Sequence, residues 1–197
     1  MSPNLEPQRS PGTFARVATA WGEATSLETL VRPLLDTVLE LTTLDIAYLT
    51  VKHTDEGLEH RFIADPTGLG LAEGLTIPWS DSLCIRCQES GRRWTRDVET
   101  DLPGSPISEA FGVRTFLSVP VVAQDGTLMG TLCSASLEAR DLSETTIAEL
   151  EVLARLIGDW MMHDRDLLAE TSRADAAVLA LDARAMLIAR AEHELKT

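Results

Sequence analysis

Three cysteines are the residues whose types and spacing most suggest chemistry. Cys84 and Cys87 lie three positions apart, so on a helix their sulfurs share one face, and Cys133 follows much later, in a predicted strand. Convergence of the three thiolates would predict a zinc or iron–sulfur site, with His53 or His60 as the fourth ligand. Two other interpretations remain open: a redox couple of Cys84 with Cys133, and cysteines that serve only as small buried apolar residues.

Among the cysteines, Cys84 is the best candidate for redox chemistry. We predict a helix that begins near Ser80, with Ser80 as its N-cap, so that Cys84 lies near the first turn. The positive end of the helix dipole and the nearby Arg86 would lower the pKa of the Cys84 thiol and favour the reactive thiolate.

Aromatic and hydroxyl side chains in the middle of the chain could form the walls of a small-molecule pocket. Four rings would supply apolar surface and two hydroxyls would supply hydrogen bonds, although each of these residues also fits an ordinary core. The rings are Trp79, Trp94, Phe111 and Phe116, and the hydroxyls are Ser118 and Thr131. The predicted pocket set is Trp79, Ser82, Cys84, Phe116, Ser118, Thr131 and Cys133.

Short β-favouring segments must position these side chains. Segments 46–52 and 58–64 flank a turn-like stretch, and segments 114–122 and 127–135 flank the Asp125-Gly126 turn, so each pair predicts a hairpin. A helix over about 80–90 and a short strand near 94–98 lie between them, and helices over about 13–43 precede them, with an imperfect capping box at Ser26 and Thr29. This order indicates an α+β fold with an antiparallel sheet flanked by helices.

A helix longer than ordinary globular helices is predicted from Ser143 to the last residue. Apolar residues recur every seven positions, and a partial second seam lies between them, which together favour a dimeric coiled coil over a single amphipathic helix on its own domain. The heptad residues are Leu153, Trp160, Leu167, Ala174, Leu181, Ile188 and Leu195, and the second seam holds Ile157, Val178 and Ala185.

Composition excludes several classes of protein. The 197 residues carry a formal net charge of −14, which repels nucleic acid and anionic lipid. No stretch of about 18 apolar residues is present and the N-terminus lacks a signal peptide, so we expect a cytoplasmic protein with neither a nucleic-acid nor a membrane partner. Residues 1–12 contain three prolines and little apolar surface, and they predict a disordered tail.

Three segments together resemble a GAF domain of the bacterial branch found upstream of signalling enzymes. They are residues 75–84, 115–120 and 125–133, and the resemblance covers about 25–165. It implies a central antiparallel sheet of about six strands, a small-molecule pocket between one sheet face and the connecting helices, and dimerisation through terminal helices. The cyclic-nucleotide signature of the family is absent, and Ile85 follows Cys84 where the bilin-binding branch would show Cys-His.

The last five residues, His193-Glu194-Leu195-Lys196-Thr197, resemble the phosphoacceptor box of sensor histidine kinases. By that resemblance His193 is the phosphorylated residue, Glu194 is the neighbouring general base and Thr197 helps position water for dephosphorylation. The chain shows no Gly-rich phosphate-binding loop, so we expect it not to use ATP itself and expect its parent protein to be a histidine kinase that acts on a response regulator.

The sequence as a whole therefore predicts a disordered tail over 1–12, a GAF sensory domain with N-terminal helices over 13–165, and a signalling and dimerisation helix over 166–197. We expect a homodimeric module of a two-component system that senses a small molecule or a redox change. The alternatives are a thiol enzyme of the same fold, similar to free methionine sulfoxide reductase, and a structural dimerisation module with a collapsed pocket.

Overall fold

A computed structural model describes residues 12–54 and 57–195 of the chain. The chain divides into two compact units, the first ending at Asp159 and the second beginning at Trp160. Apart from Gly12, which begins the first helix, the predicted tail lies outside the described residues.

Six helices, six strands and one 3-10 turn make up the described chain. The helices are α1 (Gly12–Glu23), α2 (Leu27–Thr42), α3 (Leu83–Glu89), α4 (Val98–Asp101), α5 (Pro106–Phe111) and α6 (Glu144–Leu195). The strands are β1 (Ile46–Thr54), β2 (Gly57–Ala64), β3 (Thr76–Pro78), β4 (Trp94–Thr95), β5 (Thr115–Val122) and β6 (Leu128–Ser136), and a 3-10 turn spans Trp79–Asp81.

The strands form one antiparallel sheet in the order β3-β2-β1-β6-β5-β4. Both predicted hairpins are present, as β1–β2 and β5–β6, and β1 pairs with β6 to join them in the middle of the sheet. The predicted α+β class and the GAF-like sheet of six strands are therefore confirmed. The short strand β3 and helix α4 were not predicted, because three or four residues carry too little periodicity to reveal an element.

Each face of the sheet buries its own apolar side chains, because successive residues of a strand point to opposite faces. On one face Tyr48, Phe116 and Cys133 belong to a core cluster that also contains Leu83 of α3 and Val98 of α4. Helix α2 packs on β1 and β2 and makes further contacts with β6. The sequence of α2 suits this position, since it buries Leu30, Val31, Leu34, Leu35 and Val38.

The start of α2 is fixed by the predicted capping box. The Ser26 hydroxyl accepts a hydrogen bond from the Thr29 amide at 3.2 Å, and the Thr29 hydroxyl accepts one from the Ser26 amide at 3.0 Å. Pro33 lies inside the helix, and the Thr37 hydroxyl donates to its carbonyl oxygen at 3.0 Å.

Helix α3 begins later than the sequence predicts. Residues 79–81 form the 3-10 turn, and Ser82 is the N-cap, with its hydroxyl accepting from the Ile85 amide at 3.2 Å. The prediction of Ser80 as N-cap was wrong, because a separate turn precedes the helix. Cys84 consequently lies at the second residue of α3.

Two glycines allow backbones to approach closely. A Cβ on Gly130 of β6 would overlap the Thr50 carbonyl oxygen of β1, and a Cβ on Gly158 of α6 would lie 2.6 Å from the Val122 carbonyl oxygen. Glycine at these positions therefore permits the β1–β6 pairing and the contact of α6 with the end of β5.

Helix α6 is continuous from Glu144 to Leu195, as the long uninterrupted helical pattern predicts. Leu153 and Ile157 are buried in the core of the first unit. The first residues of the heptad pattern therefore belong to that core. In the second unit Leu167 is 49% exposed and Leu179 is 69% exposed.

Candidate functional site

An apolar cavity of about 80 Å³ lies between the sheet face that carries Tyr48 and the segments around α3 and α5. Strands β1, β2, β5 and β6 form its floor, and the segment between β2 and β3 adds three leucines. Its lining residues are Ile46, Tyr48, His60, Leu69, Leu71, Leu75, Ile77, Leu83, Cys84, Phe111, Val113, Phe116, Ala135 and Leu137. The cavity has room for several atoms of an apolar molecule.

Three polar groups interrupt this apolar lining: the His60 ring, the Tyr48 phenol and the Cys84 thiol. The His60 ring lies 5.2 Å from the Tyr48 ring between centroids, and His60 Nδ1 lies 3.1 Å from the Leu75 carbonyl oxygen, to which it donates. Burial lowers the pKa of His60, so the ring is neutral at pH 7. Burial also raises the pKa of Tyr48 well above its ordinary value, so its phenol stays protonated. The third polar group is the Cys84 thiol.

Cys84 belongs to a buried cluster of sulfur and hydroxyl groups. Its Sγ lies 3.4 Å from the Cys133 Sγ, and the Thr131 hydroxyl donates to Cys84 Sγ at 3.2 Å. Thr131 Oγ1 is also 3.1 Å from Cys133 Sγ and 2.7 Å from the Thr50 hydroxyl. Cys133 Sγ lies 3.5 Å from the Ser118 hydroxyl oxygen. Helix α3 supplies Cys84, and neighbouring strands supply the other members.

The two clustered thiols differ in acidity. The pKa of Cys84 is lowered, first because the Cys133 thiol donates a hydrogen bond to its sulfur and then because Thr131 does the same. Burial raises the pKa of Cys133 well above its ordinary value, and the adjacent Cys84 raises it further. The pair therefore loses its first proton from Cys84. Arg86, which the sequence suggested as the cause, donates instead to the Pro103 carbonyl oxygen at 3.2 Å.

Cys87 does not join the other two cysteines. Its thiol donates to the Arg92 carbonyl oxygen at 3.3 Å, and burial raises its pKa to about 12. Within residues 12–54 and 57–195, no group of three His, Cys, Asp or Glu side chains is arranged to hold a metal ion. The predicted zinc or iron–sulfur site at Cys84, Cys87 and Cys133 is therefore not formed by these residues. His60 donates to a backbone carbonyl, and the His53 side chain lies outside the described residues.

The residues that the sequence predicts to line one pocket lie in different parts of the structure. Cys84 and Phe116 line the apolar cavity, whereas Ser118, Thr131 and Cys133 form the buried polar cluster. Ser82 caps α3. Trp79 packs half-buried against the core cluster, and the Lys52 ammonium lies 5.6 Å from its ring centroid. Phe111 lines the cavity and Trp94 is half-buried in β4.

Sequence reasoning missed most of the cavity wall. Tyr48 and His60 lie in strands β1 and β2, whose pairing shifts register between Leu49 and Thr50, and nothing in the sequence marked the sheet face beside them as hollow. The leucines of the 65–75 segment were missed because that segment has no regular periodicity.

A second depression, with a volume of about 640 Å³, reaches Cys84 from a more polar side. Its lining includes Arg92, Arg93 and Arg155, together with Glu151, which pairs with Arg93 at 2.6 Å, and the hydroxyl residues Ser118 and Thr131. Arg92 and Arg93 are exposed, so the depression opens to solvent. We call it the arginine groove.

A protein-family model described as GAF domain matches residues 24–161. This match covers more than half of the chain. The chain belongs to the GAF domain family. GAF domains are typically sensory modules and not catalytic ones.

This GAF domain is similar to a curated bacterial protein. It is 32% identical over 168 residues to a protein of Escherichia coli (strain K12) described as diguanylate cyclase DgcP. The match covers 85% of this chain and 49% of that protein, so the chain spans about half the length of the curated relative it matches.

Solved structures share the fold of this GAF domain. The GAF domain from the phosphoenolpyruvate-protein phosphotransferase of Acinetobacter has a TM-score of 0.64 at 15% identity, over 82% of this chain and 97% of that chain. The chromophore-binding domain of the bacteriophytochrome RpBphP3 from R. palustris has a TM-score of 0.65 at 18% identity, over 87% of this chain and 66% of that chain. At these identities the likeness concerns the fold alone.

The predicted phosphoacceptor residues lie at the end of α6. His193 and Glu194 are in the helix, but their side chains are not described, and Thr197 lies outside the described residues. In the part of the chain that the structure describes, no helix is long and apolar enough to cross a membrane.

Proposed function

We propose that this GAF domain is a small-molecule sensor that controls a signalling output through helix α6. The observation that carries the proposal is the apolar cavity that Tyr48, His60 and Cys84 interrupt with polar groups. Such a site favours a small, mainly apolar molecule with one or two hydrogen-bonding groups, because apolar burial supplies affinity and the few polar groups fix orientation.

The polar groups define what the ligand offers. His60 uses Nδ1 to donate to the Leu75 carbonyl, so a neutral ring presents Nε2 as an acceptor. An anionic ligand group would find no cationic partner among the lining residues of the cavity, because none of them is Arg or Lys and the His60 ring is neutral at pH 7. We therefore expect a neutral ligand that carries a hydroxyl or N–H donor.

Ligand binding should be measured by thermal shift and by native mass spectrometry against a library of small neutral compounds. Ala135→Val adds volume inside the cavity, and we expect it to weaken binding by about tenfold, which corresponds to about 1.4 kcal/mol. Ala123→Val is the matched control, because both alanines are 4% exposed and Ala123 does not line the cavity. Equal weakening in both variants would contradict binding in the cavity.

For the output, we propose that the domain regulates phosphotransfer at His193 in a histidine kinase. This proposal is supported by the resemblance of 193–197 to the phosphoacceptor box at the end of a heptad helix. The His193 imidazole would attack the γ-phosphorus of ATP, Glu194 would take the imidazole proton and ADP would leave. The phosphoryl group would then pass to a response regulator. The three free cysteines support a reducing, cytoplasmic location for the module.

A diguanylate cyclase output is the second candidate, and the similarity to DgcP favours it. The two outputs can be separated by supplying ATP and a histidine kinase catalytic domain to the chain. Acid-labile phosphate that is lost in His193→Gln and retained in His163→Gln would support the kinase. Absence of phosphate, together with ligand-dependent cyclase activity in a fusion to a cyclase domain, would support the second candidate.

The thiol-enzyme alternative also has a direct test. A methionine sulfoxide reductase would consume free methionine sulfoxide through many turnovers with a thiol reductant. A sensor would show no such turnover. Sustained consumption of methionine sulfoxide that is lost in Cys84→Ser would therefore favour the enzyme over the sensor.

A further inference from the structure

The Cys84–Cys133 pair has the geometry of a dithiol that can close into a disulfide. The two sulfurs are 3.4 Å apart, and a disulfide bond is about 2.0 Å long, so closure requires a small approach of two side chains from different elements. Both cysteines are free in this structure. Their hydrogen bonds to other side chains go to each other, to Thr131 and to Ser118.

Access distinguishes the two thiols. Cys84 lines the arginine groove, which opens to solvent, whereas Cys133 is fully buried and lies behind it. Cys84 is only 4% exposed, so a reagent that reaches it must be small. In this arrangement Cys84 is the sulfur that reacts with the oxidant first. Cys133 is the sulfur that then reacts with oxidised Cys84.

Hydrogen bonding also favours Cys84 as the first of the two thiols to react. The Thr131 hydroxyl and the Cys133 thiol both donate to Cys84 Sγ, which stabilises its thiolate, and the thiolate is the nucleophilic form. Cys87 lacks this support, because its own thiol donates to a carbonyl and burial raises its pKa to about 12.

We propose that Cys84 and Cys133 form a peroxide-responsive redox site, in which a small hydroperoxide enters through the arginine groove and converts the pair into a disulfide. In the first step the Cys84 sulfur attacks the peroxide O–O bond. It becomes a sulfenic acid, and the peroxide is reduced to water or an alcohol that receives the thiol proton. In the second step the Cys133 sulfur attacks the Cys84 sulfur, the S–S bond forms, and the sulfenic oxygen leaves as water with the Cys133 proton.

Electrons and protons balance across these two reaction steps. Two thiols lose two electrons and two protons, and one hydroperoxide with those protons yields one water and one alcohol, or two waters from hydrogen peroxide. A small dithiol reverses the change by thiol–disulfide exchange. Because Cys84 also lines the apolar cavity, the disulfide alters one wall of that cavity.

The test begins with the unmodified full chain. After exposure to hydrogen peroxide, remaining thiols are alkylated in denaturant and peptides are mapped by mass spectrometry. We expect a cross-link between the peptides of Cys84 and Cys133, alkylated Cys87, and an intact mass reduced by two hydrogens and restored by dithiothreitol. A Cys84–Cys87 link, a link between chains, or no link with over-oxidised Cys84 would each overturn the proposal.

Three variants resolve the order of events. Cys133→Ser should stop at a sulfenic acid on Cys84 that dimedone traps, and Cys84→Ser should react with peroxide about tenfold more slowly or not at all. Cys87→Ser is the matched control, since Cys87 is also a buried thiol of α3, and its rate should equal that of the unmodified chain. Equal rates in Cys84→Ser and Cys87→Ser would overturn the assignment of Cys84. Because the cross-link is mapped in the unmodified chain, the proposal stays testable if a variant fails to fold.

Discussion

At the scale of single residues, His60 shows how burial changes chemistry. The ring is 4% exposed, stacks at a tilt near Tyr48 and donates to the Leu75 carbonyl oxygen. A charged imidazolium would lose hydration there, so burial lowers its pKa below the ordinary 6.5. His60, which the sequence suggested as a metal ligand, is therefore a neutral residue in the lining of the cavity.

This shift predicts a pH dependence of stability. Below pH 6.5 the unfolded chain protonates His60 while the folded domain does not, so the unfolded state binds more protons and stability falls. The contribution is complete above pH 6.5 and decreases toward the folded pKa, with a slope of at most about 1.4 kcal/mol per pH unit.

Urea unfolding between pH 5.5 and 7.5 measures this dependence. His60→Asn retains an N–H donor for the Leu75 carbonyl but does not titrate, and we expect a flatter profile than in the unmodified chain. His163→Asn is the control, because His163 is exposed, and its profile should match that of the unmodified chain. A steeper profile in His60→Asn would contradict the assignment.

At the scale of elements, glycine positions decide how closely α6 approaches the sheet. A Cβ on Gly158 would lie 2.6 Å from the Val122 carbonyl oxygen and 2.8 Å from its carbon, and both are backbone atoms that cannot rotate away. Gly22 of α1 has no atom within 4 Å of the corresponding position.

These two helical glycines predict opposite responses to alanine. Gly158→Ala should lower the free energy of unfolding by about 1–3 kcal/mol, because the helix must move away from β5. Gly22→Ala should raise it by roughly 0.4–1 kcal/mol, because alanine restricts the unfolded chain. Thermal and urea unfolding measure both, and a neutral Gly158→Ala would contradict the close approach.

At the scale of the whole molecule, the proposed homodimer depends on the heptad residues of α6. Leu167 occupies the main seam and is 49% exposed within this chain, whereas Leu179 is 69% exposed and lies off both seams. Exposed leucines in a heptad seam favour association with a second copy, since burial of a leucine contributes about 1.5–3 kcal/mol.

Sedimentation at micromolar concentration tests the dimer. We expect the unmodified chain and Leu179→Glu to sediment as dimers and Leu167→Glu to sediment as a monomer, because only the last change buries a charge in the seam. An unmodified chain that sediments as a monomer would remove the basis for signal transmission between two copies.

The sequence by itself determined the elements whose pattern is local. Two hairpins, the α2 cap at Ser26 and Thr29, and the long helix α6 follow from periodicity and turn chemistry, which act between neighbours in the chain. The resemblance of three motif segments to GAF domains also identified the fold, which the family model matching residues 24–161 confirms.

Only the tertiary structure decided which distant side chains meet. Cys84 and Cys133 approach to 3.4 Å because α3 packs on β5, the strand next to β6, and Cys87 donates to the Arg92 carbonyl although it is three residues from Cys84. The hollow beside Tyr48 and His60 also depends on how helices and the 65–75 segment cover the sheet. Such contacts depend on packing between elements far apart in the chain, and a one-dimensional pattern does not record that packing.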